Sequence, residues 1–499
     1  MSHAQAISAK PTLEGSSLII AAMMLAASNF IVVLDMTIAN VSVPHIAGGL
    51  AISSNEGTYV ITSYAVAEAI SVPLTGWLAN RFGTVKVFAA GLLFFGICSA
   101  ICGLAYSLGM LVVGRVLQGL AGGPLMPLSQ TILMSTFPPN KRMAAMAIWS
   151  MTTLIAPILG PIVGGYICDT WGWSWIFLIN VPLSLGCCYF IWKLLKPFET
   201  QTVKSKIDVV GLGLLIVFVG ALQLMLDEGQ KLDWFSSTEI IALLVIAVVG
   251  FAAFLIWELT EKNPIVDLYI FRHRGFTISV LATSLTFGAF FGSIVLTPLW
   301  LQTNMGYTAT SSGLAMAANG MLAVFAAPLA AKLAMKVDPR KLVFCGVMWL
   351  GIITFIRSFG SVDMTFSQVA VPLLFQGIGM PFFFIPLSAL ALSAVLPNEV
   401  ASAAGLMNFL RTLSGAFAAS LVTTTWSDHA AMNRNEMVAT MHPSPDIPAG
   451  MLSQMVDAQS VMLATNQLFV IAAIVLVCAA TVVLFAPKPA KMADLSAVH

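Results

Sequence analysis

The sequence predicts an all-α membrane protein of fourteen transmembrane helices, arranged as two six-helix halves with a two-helix insert between them. Three observations carry that expectation: a composition suited to lipid, apolar runs of membrane-crossing length along the whole chain, and a faint internal repeat. Apolar residues make up 58% of the 499 residues and charged residues 9%, against about 25% charged in an ordinary soluble protein. Such a chain cannot cover itself with a water-facing surface, so lipid is its solvent. Each crossing must then satisfy its own backbone hydrogen bonds, and helices of about 20 residues do so.

Taken in order, the apolar runs predict spans at 17–39, 57–79, 86–106, 109–134, 144–167, 173–195, 209–227, 238–259, 275–301, 310–334, 341–359, 366–396, 399–427 and 464–486. The first run contains Ala26-Ala27-Ser28, a small-residue site of the kind a signal peptidase cuts. It continues through Phe30-Ile31-Val32-Val33-Leu34 with only Lys10 ahead of it, which predicts an uncleaved first span. An even count puts both termini on one side. If that side is the cytoplasm, 18 of the 23 lysines and arginines fall in cytoplasmic segments and only Lys231, Arg357 and Arg434 fall outside, while Arg115 and Arg411 lie within spans. The positive-inside rule selects that topology, although the turn at 396–400 has no basic residue.

The repeat aligns Ser71-Val72-Pro73-Leu74-Thr75-Gly76-Trp77-Leu78 with Ala326-Ala327-Pro328-Leu329-Ala330-Ala331-Lys332-Leu333. Further on, Gln118-Gly119 matches Gln376-Gly377 and Pro139-Asn140 matches Pro397-Asn398, both at an offset of 258. The organisation that follows is a cytoplasmic tail 1–16, a six-helix half 17–195, a linker with two extra helices 196–274, a second half 275–486 with an outside loop 428–463, and a cytoplasmic tail 487–499. Internal repeats of this kind build many secondary transporters, with the substrate site near mid-membrane between the halves.

Several function classes are excluded. The net charge of +1 and the lack of a basic run with interleaved aromatics give no basis for nucleic-acid binding. Seven cysteines, six of them in apolar spans, show no paired CxxC layout, so neither a metal site nor a disulfide framework follows. No G-x-x-x-x-G-K-[ST] occurs, so ATP is not the energy source, and no nucleophile–base–orienter set points to an enzyme. No cofactor is expected. Proton coupling through intramembrane carboxylates is the economical alternative.

The ionisable residues within spans are the functional candidates, because each costs at least about 3 kcal/mol on insertion scales. Asp35 lies about 26 Å up the first helix and Arg115 about 10 Å from the outer end of the fourth, so a long arginine side chain reaches the carboxylate. Glu68 lies about 16 Å from the outer end of the second helix and Arg411 about 18 Å from the inner end of the thirteenth, both near the bilayer centre. We expect Glu68 and Arg411 to face one another or a shared watery cavity. The blander alternative satisfies each locally, through Thr62 and Ser63 or Asn408 and Thr412.

The motifs resemble those of the major facilitator superfamily, in its fourteen-helix drug:proton antiporter branch and, within it, the EmrB-type multidrug exporters. They are Leu34-Asp35-Met36-Thr37-Ile38-Ala39-Asn40-Val41, Gly76-Trp77-Leu78-Ala79-Asn80-Arg81-Phe82-Gly83, Arg115-Val116-Leu117-Gln118-Gly119, Gly160-Pro161-Ile162-Val163-Gly164-Gly165, Asn180-Val181-Pro182 and Leu232-Asp233-Trp234-Phe235. Two positions depart from the family pattern. Asn80 stands where the loop motif usually has Asp, and Trp173-Ser174-Trp175 replaces Trp-Arg-Trp.

The resemblance implies the major facilitator fold, a loop gating motif at Gly76, Arg81 and Gly83, and an antiporter motif at Gly160, Pro161, Gly164 and Gly165. It further implies export of small lipophilic compounds across the bacterial inner membrane in exchange for protons; the buried charges themselves, read by depth, make Asp35 and Glu68 the candidate coupling groups and Arg115 and Arg411 their candidate charge partners. A periplasmic adaptor of the EmrA type and an outer-membrane channel of the TolC type are the implied partners. For the substrate cavity the candidates are Trp149, Met151, Phe287, Phe291 and Asn408. The alternative is a dedicated exporter of one endogenous metabolite, such as a siderophore or fatty acid.

Overall fold

The computed structural model describes residues 15–52, 54–57, 59–203, 206–229, 232–334, 336–440 and 448–487. Lys10, Lys204, Lys231, Lys488 and Lys491 of the charge argument, His442, Pro443 and Pro445 of the outside loop, and nearly all of both tails lie outside these residues. Among the described residues every regular element is helical. The N-terminal set is α1 (Gly15–Leu50), α2 (Ser54–Gly57), α3 (Tyr59–Ser71), α4 (Thr75–Phe82), α5 (Thr84–Gly103), α6 (Leu108–Gly122), α7 (Leu125–Thr136), α8 (Pro139–Trp171), α9 (Trp175–Leu178) and α10 (Asn180–Leu195). Next come α11 (Val209–Glu228) and α12 (Thr238–Thr260). The C-terminal set is α13 (Arg274–Thr303), α14 (Ala309–Ala334), α15 (Pro339–Arg357), α16 (Phe366–Ser393), α17 (Val400–Thr440) and α18 (Ala449–Leu484).

Eleven helical segments among the described residues are long and apolar enough to cross a membrane. The α3–α4 pair, broken in the middle, the 33-residue α8, and α17 pack in the same bundle, which is compatible with fourteen spans. The expected span 57–79 is two helices because Pro73 has no N–H to donate and its ring clashes with a continuing turn; a Thr75 N–H to Val72 carbonyl bond of 3.2 Å closes the bend. Gly123-Pro124 separates α6 from α7 in the same way.

The outside segment 428–463 differs most from the sequence expectation. Among its described residues it is largely helical: α17 runs on to Thr440 and α18 begins at Ala449. At about 1.5 Å per residue a helix of 41 residues spans roughly 60 Å, twice a hydrocarbon core of about 30 Å. Apolarity ends near residue 427, but Ala430, Ala431, Met432, Glu436, Met437 and Ala439 are helix formers with no glycine or proline among them, so the helix continues beyond the apolar stretch. Arg434 Nε to Asp457 Oδ1 at 2.5 Å and His429 Nδ1 to Gln467 Oε1 at 2.8 Å tie the two extensions together.

Within the N-terminal set, α1 packs on α8, α3 on α6, and α5 on α6 and α10; within the C-terminal set, α13 packs on α17 and α18, α14 on α16, and α15 on α16 and α18. The sets meet where α8 packs on α14 and α16, and where α17 packs on α4 and α7. The α11–α12 pair lies at the periphery. In α12, with a mean hydropathy of 3.0, only 22% of the apolar window is buried, as suits a helix facing lipid on most sides.

Candidate functional site

The structure brings Asp35 and Arg115 together. Arg115 Nη1 donates to Asp35 Oδ2 at 2.5 Å, and Asp35 Oδ1 accepts from Gln118 Nε2 at 3.0 Å and from Asn180 Nδ2 at 2.7 Å. The guanidinium donates further to the Val60 carbonyl at 3.0 Å and to Gln118 Oε1 at 2.9 Å, and lies 4.1 Å from the Tyr64 ring centroid. Ser99 Oγ accepts from Gln118 Nε2 and Asn180 Nδ2, so α1, α3, α5, α6 and α10 all meet here. Asp35 is 2% exposed and Arg115, Gln118, Asn180 and Ser99 are sealed off completely. Removing two charges from water costs several kcal/mol per ion, and the surrounding donors and acceptors offset it. Gln118 and Asn180 lie in two of the quoted motifs, but their part in holding Asp35 was not readable from spacing.

Glu68 stands in contrast. Its backbone is pressed against α6, where a Cβ on Gly119 would come within 2.5 Å of the Tyr64 carbonyl and one on Gly123 within 2.9 Å of the Glu68 carbonyl. Its half-buried carboxylate makes no hydrogen bond or ion pair among the described residues. The Glu68–Arg411 contact expected from depth is therefore not an ion pair, although each charge lies within the other's electrostatic reach. Arg411 of α17 turns instead across the seam, where Nη2 donates to Met126 Sδ of α7, and its guanidinium lies 5.3 and 5.5 Å from the Phe287 and Phe384 centroids. One turn earlier, Asn408 Nδ2 donates to Gln130 Oε1 of α7 at 2.6 Å. Among the described residues neither Thr62 and Ser63 nor Asn408 and Thr412 makes a hydrogen bond to these charges.

Of the cavity candidates, Phe287 and Phe291 stack at 5.6 Å and are half-buried beside Arg411, and Met151 is half-buried on α8. Trp149 and Asn408 line no open space in this conformation. Trp149 is core, fully enclosed with its indole N–H donated to Ser129 Oγ at 2.7 Å, and Asn408 is 1% exposed in the α17–α7 seam. Among the described residues no His, Cys, Asp and Glu cluster is arranged to hold a metal ion.

The glycine motifs are sites of close approach. A Cβ on Gly160 would fall 2.7 Å from Thr37 Cβ and one on Gly164 3.2 Å from Ile38 Cγ2, so these two glycines let α8 lie on α1; Gly165 has open space, and the Pro161 side chain lies outside the description. Gly76 abuts α17, where a Cβ would stand 2.7 Å from Ser402 Cα. Gly83 has φ +98, which other residues rarely adopt, and its turn brings Glu199 onto the N-terminus of α5, accepting from Val85 N–H at 3.0 Å and Lys86 N–H at 2.9 Å. Arg81 lies 5.6 Å from the Trp77 ring centroid.

Arg357, assigned from sequence to an outside segment, is instead buried at the end of α15, donating to Gln376 Oε1 at 3.0 Å and Thr297 Oγ1 at 2.5 Å. The Gln118–Gln376 repeat was the signal that a second arginine–glutamine cluster exists.

Comparison with known proteins places this geometry. A family profile described as Major Facilitator Superfamily matches residues 25–419. The multidrug export protein EmrB of Escherichia coli (strain K12) is 43% identical over 495 residues, covering 96% of this chain and 97% of that one. The fatty acid resistance protein FarB of Neisseria gonorrhoeae is 43% identical over 496 residues, covering 96% and 98%. Among solved structures, the proton:xylose symporter XylE bound to 6-bromo-6-deoxy-D-glucose superposes with a TM-score of 0.57 at 15% identity, covering 95% of this chain and 96% of that one, which speaks to the fold alone. With the profile, the full-length relatives and the shared helical architecture in agreement, the chain belongs to the Major Facilitator Superfamily and is a multi-pass membrane transporter, not an enzyme.

Proposed function

We propose that the protein is a proton-coupled antiporter that exports lipophilic drugs and toxic compounds across the bacterial inner membrane by alternating access, with both termini in the cytoplasm. The observation that carries this reading is Glu68, an intramembrane carboxylate without a hydrogen-bond partner among the described residues, within reach of an arginine that bridges the α17–α7 seam. Adding a proton to Glu68 breaks no hydrogen bond, whereas adding one to Asp35 would strand the charge of Arg115. A proton arriving from outside neutralises Glu68 and removes its field from Arg411, shifting the balance between two arrangements of the seam. Release of that proton to the cytoplasm resets it. Phe287, Phe291, Phe384, Met126 and Met151 offer an adaptable apolar wall to varied cargo. The proton gradient is the energy source and no cofactor takes part.

The likeness to EmrB supports multidrug cargo, and the equal likeness to FarB favours a second reading, the export of one endogenous fatty acid. Uptake of a fluorescent dye into inverted vesicles separates them. Accumulation that needs a pH gradient and is indifferent to fatty acid supports the first reading, and accumulation abolished by low fatty acid supports the second. An EmrA-type adaptor and a TolC-type channel complete the proposed pump. The α17 and α18 extensions, with Met432, Met451 and Met455 each at least half exposed, are the surface offered to the adaptor. Co-purification after gentle solubilisation tests this, and repeated recovery of the transporter alone from a strain encoding an adaptor contradicts it.

A further inference from the structure

Three arginines are buried in the bundle and each is met differently. Arg115 has Asp35 and Arg411 has the field of Glu68, but no carboxylate lies within ion-pair distance of Arg357 among the described residues. Arg357 is 8% exposed, and its neighbours Gln376, Thr297 and the Phe469 ring, 4.3 Å from the guanidinium carbon, orient the cation without balancing its charge. Gln376 occupies the repeat position of Gln118, yet where Gln118 donates to a carboxylate, Gln376 donates to Thr354 Oγ1 at 3.4 Å. Asp363, on the loop that follows α15, is exposed and makes no ion pair with Arg357.

The same guanidinium forms part of the wall of a cavity of about 510 Å³ between the ends of α13, α15 and α16 and the middle of α18, within the roughly 300–1,000 Å³ of small-molecule sites. Trp300, Met364, Val369 and Pro372 supply apolar wall, with Ser367 and Gln368 as added polar groups. Ile356, Phe359 and Val371, which also line it, are 50%, 73% and 47% exposed on the bundle surface, as suits a mouth opening onto lipid. A buried cation short of a counter-charge at one side, and an apolar trough running out to the membrane, are the two halves of one recognition chemistry.

We propose that this cavity binds an anionic amphiphile, with the anionic head on Arg357 and an acyl chain along Met364 and Val369 toward the mouth at Phe359 and Val371. The head is a carboxylate or a lipid phosphate. The site is separate from the Glu68–Arg411 seam and does not depend on proton coupling.

The test is photolabelling of the purified full-length protein in uncharged nanodiscs with a diazirine-bearing dodecanoate, against the matching dodecanol, read as labelled peptide across residues 356–372. The expected result is labelling by the acid about tenfold above the alcohol, and a similar loss in Arg357→Gln. Equal labelling by acid and alcohol, or labelling unchanged in Arg357→Gln, overturns the proposal. If Arg357→Gln does not fold, the acid–alcohol comparison on the natural protein still decides. So does Val371→Trp, which narrows the exposed mouth without touching the hydrogen bonds of Arg357 and should cut labelling about threefold, an unchanged yield contradicting the site. Competition identifies the source. Suppression by phosphatidylglycerol in the disc marks an anionic lipid, suppression by free dodecanoate alone marks a single-chain acid, and suppression by neither overturns the proposal.

Discussion

Asp35 accepts from three side chains on two other helices, while Glu68, on the helix whose Val60 carbonyl and Tyr64 ring also hold Arg115, accepts from none among the described residues. Both are carboxylates within predicted spans, and by charge and residue type alone they look equivalent. Their surroundings separate them. Asp35 is part of a sealed polar core that joins five helices, and losing any member leaves a buried charge or donor unmatched. Glu68 is pinned only through its backbone by Gly119 and Gly123, so its charge can change without breaking a bond. The contrast teaches that an intramembrane carboxylate is read by its hydrogen-bond partners as much as by its depth.

The largest expected effect comes from breaking the sealed network. Asp35→Asn leaves Arg115 buried without a counter-charge and should cost about 3–5 kcal/mol, measured by thermal unfolding in detergent. Adding Arg115→Gln should recover part of that loss. A single variant with normal stability would show that the network is not what holds these helices.

A smaller effect is expected at the turn between α16 and α17. Burial acts to raise the Glu399 carboxyl, but hydrogen bonds from the Leu396 N–H, Arg272 and His273 outweigh it and hold the group below its ordinary value. The contribution is therefore present above the ordinary carboxylate range and lost as pH falls through the lowered value. Glu399→Gln should lose about 1–3 kcal/mol at neutral pH, and its stability should fall less steeply on acidification below about pH 4. An acid limb identical to that of the natural protein would remove Glu399 from the account.

The smallest effect sharpens the comparison. Because no ion pair joins Glu68 to Arg411, a double-mutant cycle with Glu68→Gln and Arg411→Gln should give a coupling near 0.5 kcal/mol, the low end for interacting residues. A coupling above about 2 kcal/mol would mean that the pair closes directly in another conformation.

Much of this was legible in the sequence, and the failures have physical causes. Apolar run length located each helix and most of its ends to within a few residues, because the bilayer imposes that length whatever the tertiary contacts, though α1 runs on to Leu50 where the expected span stops at 39. The same criterion missed the 428–463 extension, since a helix that leaves the membrane keeps its backbone bonds while losing its apolarity. Depth counting brought Arg115 to Asp35 because both reach the same level on neighbouring helices. It could not show that Gln118 and Asn180 complete the shell, nor that Arg411 turns to Met126, because those depend on rotation of each helix about its axis. Arg357 was counted as an outside charge, since a residue at a helix end reads the same whether it meets water or the bundle.

The central claim is that Glu68 exchanges the proton while Asp35 holds the structure. Its most direct test compares two activities of Glu68→Gln in reconstituted vesicles: dye exchange without a gradient, and dye accumulation driven by a pH gradient. The account predicts that the variant folds with its stability changed by no more than about 0.5 kcal/mol, retains exchange, and loses gradient-driven accumulation. Uphill accumulation by Glu68→Gln at the natural rate would contradict it.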